Sequence, residues 1–343
     1  MEILIKFSAG PAFHGRTVSV ALTTFNRSSR WEKTNNESKH TMNRRYVTAD
    51  VFTAEKFKGN PVAVVLDAAG LSTRQMQAIA SEFAYSETTF VLPPQDASNT
   101  AWVRIFTPSR EIPFAGHPNI GTAFVLASEA ASNGVELPDL LIFEELGGLV
   151  PVKLFKDGAT VLGAELIAPE PLGLLSKVAP NRAAACLSLS ADDIRVDAHA
   201  PQVASVGLPF LVVELASRDA LRRCVPDLAA FKTVLPIDGA VSIYAYTHDV
   251  DRARAGHGCD LEARMFTPRM TEDPATGSAT AATAALIAHL RGVPELGLRV
   301  AQGVDMGRPS ILRARIDSHD GHTRIRVGGK CVSVMEGSFI VSA

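Results

Sequence analysis

The chain has 343 residues, 46% of them hydrophobic, and a formal net charge of −2. That is enough apolar material for two domains with real cores. The near-neutral charge, without a basic stripe or interleaved aromatics, gives no signature of nucleic-acid or anionic-membrane binding. No stretch reaches the roughly 20 apolar residues of a membrane-spanning helix.

Residues 1–43 stand apart and read as a disordered or extended N-terminal extension, because 26–43 is polar with almost no apolar content. The apolar run at 3–7 is too short for a secretory signal. Ser, Thr and Arg between Ser8 and Arg30 leave a mitochondrial presequence as the alternative to a cytoplasmic location, opposed by Glu2, Glu32 and Glu37. The four cysteines, Cys186, Cys224, Cys259 and Cys331, are widely spaced with no CxxC pair. They predict buried, reduced thiols and no metal site.

Alternation predicts a strand over 46–52, a turn at 56–61 and a buried strand over 62–66. Ser72 caps a helix, with Gln75 at the capping-box spacing and Met76, Ile79, Ala80 and Phe83 as its buried stripe. Strands follow over 90–92 and 102–106, then a small-residue apolar helix over 119–131. Further strands are expected near 140–143, 149–155 and 160–166. Several Pro and Gly residues make 169–180 the inter-domain linker. The second half repeats the order: a short helix at 191–196 capped by Ser190, strands at 202–206 and 209–215, a helix near 218–228, and strands at 241–246 and 263–266. A second small-residue helix covers 280–290. Strands at 311–316, 323–327, 332–335 and 337–341 end the chain. The pattern is α+β.

Two stretches match closely. Phe106-Thr107-Pro108 precedes Pro113-Phe114-Ala115-Gly116-His117-Pro118 and the first apolar helix. Phe266-Thr267-Pro268 precedes Asp273-Pro274-Ala275-Thr276-Gly277-Ser278-Ala279 and the second. The triplets are offset by 160 residues, and Gly116 and Gly277 by 161. Upstream, residues 59–65 echo 207–213 at an offset of 148. This is an internal duplication with a period near half the chain. It predicts two similar domains, 44–168 plus 337–343 and 181–336, each with one buried helix, and it pairs His117 with Ser278. Each helix start offers unsatisfied amides beside small residues, a place for an anionic ligand. Asp273-Pro274 reads either as part of that site or as a turn or helix cap. Glu87 and His117, taken alone, read as a solvated carboxylate and a structural histidine. Arg308 reads as part of a turn, with contact to an anionic substrate as the alternative. No P-loop or dinucleotide fingerprint is present, so no cofactor is expected.

Residues 58–65, Ser86-Glu87-Thr88-Thr89-Phe90, residues 114–118, residues 272–279 and Gln302-Gly303 with residues 306–310 together resemble the phenazine-biosynthesis-like (PhzF) family, from about Arg45 to the C-terminus. The resemblance implies a diaminopimelate epimerase-like fold: two pseudo-symmetric α+β domains, each a mixed sheet rolled around a buried central helix. It implies a cofactor-independent isomerase, often a homodimer, acting on a small anionic substrate; in the family's best-known member that is a dihydro-hydroxyanthranilate. It places Glu87 as the acid/base, with His117, Asp273 and Ser278 in substrate contact and proton relay. Gly116, Gly277, Thr276 and Pro118 would bind substrate. Stereoinversion, as in diaminopimelate epimerase or proline racemase, is the alternative, but it needs two opposed thiols where this chain has His117 and Ser278. A binding protein that retains the cleft is the third reading.

Overall fold

Strand β1 (Met42–Val51) buries Val47, Ala49 and Val51 on alternate positions. It pairs antiparallel with β2 (Asn60–Val65) on one side and with the last strand, β17 (His322–Val341), on the other. The structure, a computed structural model, describes residues 42–135, 138–251, 258–319 and 322–341. The extension therefore lies outside the described residues, except that Met42 and Asn43 already belong to β1.

Helix α1 (Thr73–Phe83) links β2 to its parallel neighbour β3 (Glu87–Leu92). The capping box forms: Ser72 Oγ accepts from the Gln75 amide at 3.3 Å, and Gln75 Oε1 accepts from the Ser72 amide at 2.8 Å. Met76, Ile79, Ala80 and Phe83 pack with Val65, Phe90 and Phe106, as the period predicts. β3 pairs with β4 (Ala101–Phe106), which turns back into β5 (Glu111–Ile112) and runs parallel to β6 (Leu140–Glu145). Helix α2 (Gly116–Ser132) makes that crossover. β7 (Gly148–Asp157) and β8 (Thr160–Ile167) follow antiparallel, and β8 pairs with β17, so the ladder closes on itself through β1.

The pairing order then recurs. β9 (Gly173–Lys177), β10 (Gln202–Ser205) and β11 (Pro209–Glu214) are antiparallel neighbours. β11 is parallel to β12 (Ile243–Thr247), which pairs with β13 (Leu261–Phe266). β13 turns into β14 (Glu272–Asp273) and runs parallel to β15 (Leu296–Gln302) across helix α6 (Gly277–Arg291). β16 (Ser310–His319) joins β15 to β17. The smaller helices are α3 (Pro180–Cys186), α4 (Arg218–Arg223) and α5 (Leu228–Val234).

The duplication extends to side chains. Arg104 holds Glu111 through Nε and Nη2, each at 2.7 Å, and lies 5.2 Å from the Phe106 ring centre. Arg264 holds Glu272 in the same way at 2.9 and 2.8 Å, 4.9 Å from Phe266. Each bidentate pair braces the short hairpin that leads into a buried helix. Small side chains let these helices sit close to the sheets: a Cβ on Gly121 would stand 2.4 Å from Val62 Cγ1. Almost the whole of α6 from Ala279 to Ala288 is buried.

Several expectations are corrected. Residues 169–180, read as the inter-domain linker, contain an unanticipated strand, β9, which pairs with β10. β15 and helices α3 and α5 were not anticipated, and the expected helix near 218–228 ends at Arg223. Residues 191–193 form a single 3-10 turn, capped by Ser190. The three strands read over 323–341 are one strand, β17.

Arg308 does not wait for a substrate. Its Nε donates to the Gly59 carbonyl at 2.8 Å, and its Nη2 donates to Asp50 Oδ1 at 2.7 Å and to the Lys58 carbonyl at 2.9 Å. It ties the loop before β2 to β1. Arg308→Met should therefore lower stability by about 3 kcal/mol, because Asp50 stays buried without its cationic partner, held only by the Phe57 amide. A urea midpoint unchanged from wild type would contradict this.

Candidate active site

Asn60 opens β2 and Glu87 opens β3, and the parallel register sets Val62 opposite Glu87. Both polar side chains thus arrive at the same end of one strand pair. The starts of α2 and α6 meet there: a Cβ added to Gly116 would stand 4.0 Å from the Ser278 amide nitrogen. Neither helix start is capped by its preceding side chain. Their first amides are the positive ends of two buried helices.

His117, in the first turn of α2, is 6% exposed. Among the described residues its Nε2 has no hydrogen-bond partner, and it stands 3.5 Å from Glu87 Oε2. Its Nδ1 stands 3.5 Å from Asn60 Nδ2. Asn60 Nδ2 donates to Asp273 Oδ1 at 2.9 Å and to the Ala275 carbonyl at 2.9 Å. Asp273 Oδ2 accepts from Thr276 Oγ1 at 2.5 Å. Behind them Gln302 accepts from the Thr276 amide at 3.0 Å and donates to the Asp273 carbonyl at 2.8 Å. The structure brings together Glu87, His117 and Asp273, with Gly116 and Ser278 alongside.

Burial controls the protons. It pushes the Glu87 carboxyl up to about 8, helped by the charge of Asp273. It pushes His117 down to about 3, against a hydrogen bond to the Pro61 carbonyl. Asp273 rises to about 6 through burial, restrained by the donors Thr276 and Asn60. Near neutral pH the 3.5 Å contact is therefore a carboxylic acid facing a neutral imidazole, not an ion pair. Asp273 beside it is mostly ionised.

The remaining expected residues also make contacts within the fold. The Thr276 hydroxyl and amide are both engaged with Asp273 and Gln302, so Thr276 shapes the turn into α6. Pro118 lies buried in the first turn of α2, where its missing N–H costs no hydrogen bond. Gly277 packs beside Phe52 and Val327, where a Cβ would stand 3.4 Å from Phe52 Cζ and 3.6 Å from Val327 Cγ1, ordinary contact distances. The four cysteines are buried, and none lies in the first turn of either helix. Asn60 and Gln302 were not anticipated as parts of the site. Their signal was an amide at the end of an otherwise apolar strand; at the offset of 148, Leu208 stands where Asn60 does.

The sequence pattern of the family described as "Phenazine biosynthesis-like protein" matches residues 49–337. An uncharacterized isomerase of Mesorhizobium japonicum is 38% identical over 310 residues, 87% of this chain and 99% of its own. Trans-2,3-dihydro-3-hydroxyanthranilate isomerase of Pseudomonas chlororaphis is 34% identical, covering 86% of this chain and 99% of its own. Among solved structures, a PhzF-family phenazine biosynthesis protein of Bacillus anthracis superposes with a TM-score of 0.78 at 23% identity, covering 88% of this chain and 100% of its own. The chain belongs to the phenazine biosynthesis-like family, and it is an isomerase.

Proposed function

We propose that this isomerase shifts a proton between two carbons of a small carboxylated, cyclic or unsaturated metabolite, with Glu87 as the acid/base. The observation that carries this is the enclosed Glu87 carboxyl, raised to about 8 and set 3.5 Å from His117 where two helix starts meet. A carboxyl with a pKa near the working pH can both take and return a proton. As carboxylate, Glu87 removes a proton from carbon, and the electron pair enters the conjugated system of the substrate. The helix-start amides and the Ser278 hydroxyl hold the resulting anion. The protonated Glu87, whose proton exchanges with solvent, then delivers a proton to another carbon, and a double bond has moved with no net oxidation. His117 and Asp273 orient the substrate and steady the charge. The repeated strand order and matched Arg–Glu braces support reading the cleft as the seam between two halves of a duplicated fold.

Stereoinversion through paired thiols fits less well, because the helix starts carry His117 and Ser278 while every cysteine is buried elsewhere. The test is incubation in deuterium oxide with a panel of small cyclic unsaturated acids, beginning with the compound named for the Pseudomonas chlororaphis relative. Deuterium should enter a substrate carbon as the double bonds move. Neither exchange nor rearrangement with any member of the panel would count against the proposal.

A further inference from the structure

Asn60 is fully buried and bridges groups from three elements. Its orientation is forced. Nδ2 has two hydrogens, and two oxygens, Asp273 Oδ1 and the Ala275 carbonyl, each lie at 2.9 Å. A flipped amide would press its own oxygen against both. No hydrogen is then left for His117 Nδ1 at 3.5 Å, so that nitrogen keeps its own proton for the Pro61 carbonyl. The lone pair of Nε2 is left facing Glu87. Among the described residues Asn60 Oδ1 has no partner, so the side chain is held through its donors.

We propose that Asn60 is a positioning residue: it fixes the Asp273 carboxylate and the turn into α6 against His117 and Glu87, so that both helix starts address one substrate. This rests on the acid/base reading of Glu87. Asp273 is faced by Glu87 from β3, by His117 from α2 through Asn60, by Glu272 on its own strand and by Tyr244 from β12. Loss of the Asn60 donor should make Asp273 a weaker acid. A neutral Asp273 no longer repels charge on Glu87, so Glu87 should become a stronger one.

The experiment is an infrared pH titration of the buried carboxyl bands, assigned with Glu87→Gln and Asp273→Asn. In Asn60→Leu the Asp273 midpoint should rise by about one unit or more, and the Glu87 midpoint should fall. Unchanged midpoints would overturn the proposal. If Asn60→Leu does not fold, the wild-type protein decides: the Asn60 side-chain amide protons, followed by NMR, should exchange slowly and shift with a midpoint near 6, the Asp273 value. Fast exchange or no shift would overturn it. These readouts need no substrate, so they fail separately from the isomerase reaction. With a substrate in hand, Asn60→Leu should lower kcat at least about tenfold with little change in KM, as expected when orientation rather than binding is lost.

Discussion

Glu87→Gln is expected to reduce turnover by about 10²–10⁴-fold, the usual cost of removing a general acid/base. The loss lies towards the upper end because one carboxyl performs both transfers. The substitution keeps the shape of the side chain and cannot accept a proton from carbon. The fold should survive, because Glu87 is already neutral in the folded protein near pH 7. More than a tenth of wild-type turnover in Glu87→Gln would remove Glu87 from the mechanism.

Stability should fall as pH rises from about 6.5 to 8. Burial raises Glu87 and Glu145 each to about 8, from an ordinary value of 4.5. In that window the folded chain holds protons that the unfolded chain has already released, so raising the pH favours unfolding. Asp273, raised to about 6, acts in the same direction but mostly below this window. His117 acts oppositely: its pKa falls from 6.5 to about 3, so it favours folding as pH rises between those values, and its effect is largely complete above 6.5. The slope between 6.5 and 8 therefore belongs to the two glutamates, roughly 1–2 kcal/mol from each. Urea unfolding across the window should show it, and Glu87→Gln should remove about half. A wild-type midpoint that rises over this range would contradict the account.

Local chemistry made much of this fold legible. Ser72 and Gln75 announce a helix start because both halves of the capping box lie within four residues. The small apolar runs around Ala123 and Ala282 announce buried helices because no other position tolerates such composition. The repeated stretches around Gly116 and Gly277 mark both helix entrances in the sequence itself. What stayed hidden depended on distant partners. β9 becomes a strand only by pairing with β10. The strands expected at 323–327, 332–335 and 337–341 are one strand, β17, which contains Gly328, Gly329 and Gly337. These glycines let β17 pass close to its neighbours: a Cβ there would lie 2.5 Å from the Ala164 carbonyl oxygen, 2.7 Å from the Phe52 ring and 2.8 Å from the Tyr46 hydroxyl respectively. β15 carries an alternating signal in Leu296, Leu298 and Val300. Asn60 and Gln302 gain meaning only from Asp273 and Thr276, which lie 213 and 26 residues away.

The account turns on where an anionic ligand sits. A crystal structure with a small unsaturated carboxylate bound tests this most directly. The carboxylate should lie against the amides at Gly116–His117 and Gly277–Ser278, with a Glu87 oxygen within one hydrogen bond, or one water, of the ligand's acidic carbon. A ligand held elsewhere, with Glu87 turned to open solvent, would contradict the mechanism and leave only the family and the fold.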